Sequence, residues 1–253
     1  MKMKRILTSI LAMMFSFCVW AEAAQVGSGR YDAQIQQDVT KLLQSKDKWK
    51  GITASTDDGI VTLEGTVKAL IDKLDLGKKV DKLDKVQGVR NHLDVESNVT
   101  DAQLQKNLAD KLRYDRLGFG STFNSLGLNV QNGVVTVSGD VIDYPSRDSA
   151  LAIIETTPGV KEVVDNINVL PVSPMDDQAR LAVERAIYGN PTLSRYAIDP
   201  QRPIRIVVNN GHVTLYGVVD SQMDRQIAVT QARSVPGIFS VDDKLIVAGQ
   251  GGK

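Results

Sequence analysis

Asn132-Gly133-Val134-Val135-Thr136-Val137-Ser138-Gly139-Asp140-Val141 is the stretch on which the fold turns, because the chain carries it three times. Asp58-Gly59-Ile60-Val61-Thr62-Leu63-Glu64-Gly65-Thr66-Val67 comes before it, and Asn210-Gly211-His212-Val213-Thr214-Leu215-Tyr216-Gly217-Val218-Val219 follows. All fit Asp/Asn-Gly-x-Val-Thr-Leu/Val-x-Gly-x-Val, and a repeat of this kind means several small domains of one design. Within each copy the apolar residues alternate with polar ones. Val61, Leu63 and Val67, then Val135, Val137 and Val141, then Val213, Leu215 and Val219 share one face. A period of two with one polar face predicts a half-buried strand. The opening dipeptides supply the positive φ of a tight hairpin turn. The runs ahead of them, Ile52-Thr53-Ala54, Leu128-Asn129-Val130 and Ile204 to Val208, predict the partner strands.

Downstream, Gly139 and Gly217 lead at one common interval to Gly159 and Gly237 in Pro-Gly turns, and in the first copy the same interval ends on Lys85. Val86, Val89, Leu93 and Val95 then align with Val160, Val163, Ile167 and Val169, and with Ile238, Val241, Leu245 and Val247. That is a third strand. Between the second and third strands, Leu76 and Val80, Ala150 and Ile154, and Ala228 and Ala232 occupy matching i, i+4 places on a predicted helix. Another helix precedes each hairpin. Asp32-Ala33-Gln34 and Asp101-Ala102-Gln103 open two of them, and apolar residues recur at Ile35, Val39, Leu43, at Leu104, Leu108, Leu112 and at Ala179, Val183, Ile187. Thr100 and Ser173 suit N-caps, and Pro174 suits a first turn. The expectation is an α+β chain of three tandem α-β-β-α-β sandwich domains, each with two helices on one face of a small mixed sheet. Their expected bounds are 29–98, 99–172 and 173–249, separately folded, with a semi-rigid proline-rich joint at 170–174. Gly59, Gly65, Gly133, Gly139, Gly159, Gly211, Gly217 and Gly237 are read as structural, serving turns and close packing.

The first residues read as an export signal. Lys2, Lys4 and Arg5 precede an apolar run from Ile6 to Trp20, and Ala21-Glu22-Ala23 offers a small-x-small cleavage site. Residues 1–23 are therefore expected to be removed. Phe15 and Phe17 do not fit a lipobox around Cys18, so lipidation is not expected, and the mature chain would carry no cysteine. Without Lys2, Lys4, Arg5 and Glu22, the 30 basic and 30 acidic residues stay near balance. That argues against nucleic acid as a partner, which needs a basic face.

The unit built from an Asn-Gly-x-Val-Thr-Leu-x-Gly-x-Val hairpin and a Pro-Gly-Val-x-x-Val final strand (Pro158 to Val163) resembles the BON domain, named for bacterial osmotically inducible and nodulation-associated proteins. The resemblance spans nearly the whole mature chain. It implies a periplasmic or envelope location and a non-catalytic role, binding phospholipid or supporting the envelope under osmotic stress. Lys85, at the place of the turn glycine, is the departure from the pattern.

Catalytic and metal chemistry have few residues to use. His92 and His212 are the only histidines, each on a polar strand position, and a metal site needs three or four converging ligands. No catalytic residue, metal or cofactor is expected. The pairs Asp57-Asp58, Asp176-Asp177 and Asp242-Asp243 are read as solvated charge. The segments between first helix and hairpin vary most and mix aromatic with basic residues: Trp49 among Lys46, Lys48 and Lys50; Arg113, Tyr114, Arg116, Phe119 and Phe123; and Tyr188, Arg195 and Tyr196. Rings at headgroup depth beside cations suit an anionic bilayer surface. The competing reading has these rings capping the core. Lys73, Arg147 and Arg225 share one place early in the second helix and could meet phosphate or an acidic partner. The expected partner is anionic phospholipid or a membrane surface. The alternative is a protein-interaction or chaperone module for envelope proteins, using exposed strand edges.

Overall fold

A computed structural model describes residues 29–114, 122–198 and 203–249; the proposed signal segment lies outside them. The first repeat runs α1 (Asp32–Gln44), β1 (Thr53–Asp57), β2 (Ile60–Val67), α2 (Leu70–Asp81) and β3 (Gly88–Val95). The second runs α3 (Asp101–Tyr114), β4 (Ser125–Gln131), β5 (Val134–Val141), α4 (Tyr144–Glu155) and β6 (Glu162–Val169). The third runs α5 (Pro174–Tyr188), the short α6 (Arg195–Ile198), β7 (Arg205–Asn209), β8 (His212–Val219), α7 (Gln222–Arg233) and β9 (Ser240–Val247). The expected α-β-β-α-β order holds in all three among the described residues, and the third also carries α6 between its first helix and its hairpin.

Each sheet has three strands with the template strand in the centre: β1-β2-β3, β4-β5-β6 and β7-β8-β9. The hairpins are antiparallel, while β6 pairs parallel to β5 and β9 parallel to β8. A parallel neighbour requires a crossover, and the second helix supplies it. The turns take the form their residues suit. Asp58, Asn132 and Asn210 sit at φ 49°, 54° and 51°, each followed by a glycine at positive φ. Two positive φ values in succession make a type I′ turn, whose twist matches the strands it joins.

The second template glycine serves close approach. At Gly139 (φ 128°) a Cβ would run into the Ser125 carbonyl oxygen, and at Gly217 (φ 135°) it would lie 2.7 Å from the Pro203 oxygen. The neighbouring strand therefore crosses where a side chain would stand. Lys85 keeps the turn geometry that glycine has in the other copies, at φ 66°, so the first repeat bears a left-handed non-glycine residue there.

The described residues fall into two compact units, one made of 29–66 with Asp75–Leu93, the other of Val67–Leu74 with those from Asp94 on. In the first, Ile35, Val39, Trp49, Val61, Leu63, Leu76, Val80 and Leu93 are buried. In the second, Leu104, Leu108, Val135, Val137, Ile154 and Val160 form one core, with Leu70 packed in it. Val183, Ile187, Ile204, Ile206, Val213, Leu215, Ala228 and Ala232 form another. The second and third repeats were expected to stand apart across 170–174, yet they share this unit. Phe123, from the approach to β4, is buried in the third repeat's core. The Ile206 amide donates to the Thr122 carbonyl at 2.8 Å, and Arg205 Nη1 donates to the Asn124 carbonyl at 2.9 Å. The starts of the edge strands β4 and β7 are thereby joined.

Candidate functional site

The first helix of each repeat is bolted to its hairpin by two side chains one helical turn apart. The Asp32 carboxylate accepts the amides of Asp58 and Gly59 at 3.0 and 2.8 Å. Asp101 accepts those of Asn132 and Gly133 at 2.6 and 2.9 Å. Asp176 accepts those of Asn210 and Gly211, both at 2.9 Å. Four residues on, Gln36 Nε2 donates to the Ala54 carbonyl, Gln105 Nε2 to that of Leu128 and Arg180 Nη2 to that of Val208, at 2.9, 3.2 and 2.9 Å. Helical spacing i, i+4 puts both groups on the face that meets the first strand. The type I′ turn leaves two N–H groups pointing outward, and the carboxylate satisfies both.

This corrects the reading of Asp176-Asp177 as solvated charge. Asp177 pairs with Arg180, but Asp176 is buried. Burial pushes the Asp176 carboxyl up; the Gly211 and Asn210 amides, Ser173 and the Arg180 charge outweigh it and hold its pKa below the ordinary aspartate value. The near-identical openings Asp32-Ala33-Gln34 and Asp101-Ala102-Gln103 were the visible signal of the clamp. Asp32, Asp57 and Asp58 have carboxylate oxygens within 4.8 Å of one another. Both Asp32 oxygens already hold the turn amides, and Asp57 and Asp58 are exposed.

The shared cations are internal braces rather than open phosphate receptors in the second and third repeats. Arg147 Nη2 pairs with Asp165 Oδ2, and Arg225 Nε with Asp243 Oδ2 at 2.8 Å. Each aspartate also accepts the amide two residues on, from Ile167 and from Leu245, both at 3.0 Å. The helix that makes the crossover is thus tied to the strand it leads to, and Asp243 too is more than solvated charge. In the first repeat Asn91 takes the aspartate's part toward the Leu93 amide at 3.3 Å, and Lys73 keeps the cation's place on α2.

The aromatic residues of the connecting segments turn inward wherever they are described. Trp49 is 1% exposed, with Lys46 and Lys48 Nζ at 5.2 and 5.5 Å from its ring centroid. Phe123 is 5% exposed, inside the third repeat's core. Tyr196 is 2% exposed; its hydroxyl donates to Asp224 Oδ2 at 2.8 Å and accepts the Asp220 amide at 2.7 Å. Arg195 lies over that ring at 4.8 Å and reaches Asp220 and Asp224. Burial alone would raise the Asp224 pKa; hydrogen bonds from Tyr196 and Ser221 and the charge of Arg195 outweigh it and lower it. Tyr188, half-buried, donates to the Ile204 carbonyl at 2.6 Å, and burial with the neighbouring Glu184 raises its pKa. As membrane-facing rings, then, Trp49, Phe123 and Tyr196 are corrected. A buried ring with a cation on its outer side produces the same aromatic-basic sequence as an interfacial anchor. Arg116 and Phe119 lie outside the described residues, as do the side chains of Arg113 and Tyr114.

The third repeat's hairpin end carries two of the large apolar side chains that stand in the open. Phe239 and Met175 are 77% and 81% exposed. The Phe239 amide donates to the Gly211 carbonyl at 2.9 Å, and its ring stands beside Gly211, 2.7 Å from where a Cβ would be. Met175 adjoins Asp176, which grips the same turn. The Phe239 ring also leans on His212, centroids 5.9 Å apart, while His212 Nδ1 lies 2.7 Å from Ser240 Oγ.

Compared with known proteins, the chain matches the BON domain three times, at residues 31–97, 100–171 and 176–249. No curated protein sequence matches it. It is similar to two solved structures of CdsD, a structural protein of the type III secretion system of Chlamydia trachomatis. One shares 17% identity over 85% of this chain and 92% of that one, with a TM-score of 0.24. The other, of the C-terminal domain, shares 16% over 83% and 96%, with a TM-score of 0.25.

Proposed function

The chain belongs to the BON-domain family, and from that premise we propose that it is an exported, periplasmic protein that binds anionic phospholipid and helps maintain the envelope under osmotic stress. The observation that carries this reading is the threefold BON match from 31 to 249: BON domains are associated with phospholipid binding and with stress, and they are generally non-catalytic. Three tethered domains also suit a surface ligand, since weak contacts on one chain reinforce each other through effective concentration. No helix among the described residues is long and apolar enough to cross a membrane, so the contact envisaged is peripheral. Export rests on the basic start, the apolar run and Ala21-Glu22-Ala23.

The reading through strand edges and envelope proteins is the weaker one, because the beginnings of β4 and β7 already meet each other. Flotation of the mature chain with phosphatidylglycerol-containing vesicles tests the proposal. Binding that weakens from low to high salt is the expected result, because surface charge is screened within about 10 Å at 0.1 M salt. Failure to float at low salt would refute it. Intact mass from cells should show the loss of residues 1–23; a full-length mass, or a lipid on Cys18, would overturn the export step.

A further inference from the structure

We infer that the hairpin end of the third repeat, with Phe239 and Met175 at its tip, is the surface that enters the headgroup layer of an anionic bilayer; the inference rests on the lipid-binding reading above and gives it a place. The other two repeats act as internal controls. The place of Phe239 is taken by Gln87 in the first repeat and Lys161 in the second, each lying against the equivalent turn glycine as Phe239 lies against Gly211. The place of Met175, just before the clamp aspartate, is taken by Tyr31 and Thr100. The same turn, clamp and strand entry therefore form with Gln87 or Lys161 in place of Phe239 and with Tyr31 or Thr100 in place of Met175. The third core needs neither Phe239 nor Met175, since both side chains stand mostly in solvent. Two large apolar groups that contribute little to folding and stand in the open beside one turn are free to serve as a contact surface.

Charge identifies the occupant. From Gln226 to Val241, through the last turns of α7 and the turn into β9, there is no aspartate or glutamate, and Arg233 is exposed there. The hairpin turn Asn209-Asn210-Gly211-His212 carries no acid either. Of the carboxylates that flank these residues in sequence, Asp176 accepts the two turn amides, Asp177 pairs with Arg180 and Asp242 with Lys244. An apolar tip beside an acid-free run with an exposed arginine, its flanking carboxylates paired with Arg180 and Lys244 or turned onto the hairpin amides, offers anionic headgroups little repulsion and the hydrocarbon beneath them two apolar side chains. The tip is also held firmly: the strands and the Asp176 clamp fix the turn, so insertion costs little ordering entropy.

The test uses the mature full chain and vesicles of phosphatidylglycerol with phosphatidylcholine. Replacing Phe239 and Met175 together by serine should weaken binding roughly ten- to hundredfold, the usual consequence of withdrawing two large apolar groups. The control Tyr144→Ser, an exposed aromatic on α4, should leave it unchanged. Independently, Phe239→Trp should add an emission that shifts to the blue on mixing with these vesicles and is quenched by lipids brominated near the headgroup. If the wild-type chain floats and the double serine variant floats equally well, this inference fails while the lipid-binding reading stands. If the wild-type chain does not float, both fail. If the added tryptophan stays unshifted on bound protein, the tip is outside the bilayer. If the double variant instead abolishes self-association and keeps vesicle binding, the face belongs to a second copy and the inference is overturned.

Discussion

Replacing Asp176 by alanine removes the acceptor for two amides of the third hairpin. The Asn210 amide lies at an exposed residue, where water can replace the lost oxygen, but Gly211 is buried and its N–H would be left without a partner. A hydrogen bond to a charged group contributes about 1.5–3 kcal/mol, and an orphaned buried donor costs about 1–3 kcal/mol. We expect a loss of about 2–4 kcal/mol for the variant. Asp32 and Asp101 make the same two bonds from half-exposed positions, so Asp32→Ala and Asp101→Ala should cost less, about 1–2 kcal/mol. Urea unfolding of the mature chain followed by far-UV circular dichroism reads all three. At a slope of about 2 kcal/mol per molar, Asp176→Ala should lower the midpoint by about 1–2 M. A pH series gives the second arm. The folded-state pKa of Asp176 is held below 3.8, against about 3.9 in the unfolded chain, so its contribution is complete above about pH 4 and is lost as the pH falls through the folded value. The gap between wild type and variant should therefore be constant from pH 7 to 5 and narrow in stronger acid. A midpoint within about 0.2 M of wild type, or a gap that does not narrow at all as the pH falls below about 4, would refute the reasoning.

Two further outcomes follow from the packing. Phe123→Ala should cost about 3–5 kcal/mol, as for a buried ring removed from a core, and calorimetry should show it splitting the second unit's transition; a cost below about 1 kcal/mol would mean that the ring is dispensable. Lys85→Gly should stabilise the chain by about 0.5–1 kcal/mol, because a left-handed residue with a side chain bears about 1–2 kcal/mol of strain, part of which returns as glycine's larger entropy loss. Its exposed pair with Asp84 is worth little, so a loss of stability by urea midpoint would contradict this.

The architecture was legible because it depends on short-range pattern. Alternation at Val135, Val137 and Val141 places a strand face without knowledge of its partner, and Ala150 with Ile154 places a helix face in the same way; all five are buried. The loop aromatics were not legible, because sequence spacing does not tell a ring beneath a lysine from a ring beyond it. Trp49 with Lys46 and Lys48 has the composition of a membrane anchor and the geometry of a capped core. Phe123 was harder still, since its pocket is built from residues such as Val183 and Ile206 in another repeat. The clamp went unread for a subtler reason. Asp176 and Asp177 are alike in sequence, and only the angle between successive helix positions sends one inward and the other to solvent. The exposed Phe239 likewise sits in a strand-entry position that the pattern treats as part of the third strand.

The position of Phe123 separates two meanings of the word module. The family matches end one domain at 171 and begin the next at 176, which is where duplication and shuffling would cut. The ring that fills the last domain's interior lies upstream of that cut, on the far side of an entire neighbouring sheet. A copy of the last domain moved alone to another protein would arrive with a benzyl-sized vacancy. To be accepted there it would have to carry a larger residue into the hole or find a donor ring in its new neighbour. The unit that heredity can copy is thus smaller than the unit that chemistry can stabilise, and the order of the last two domains becomes hard to change.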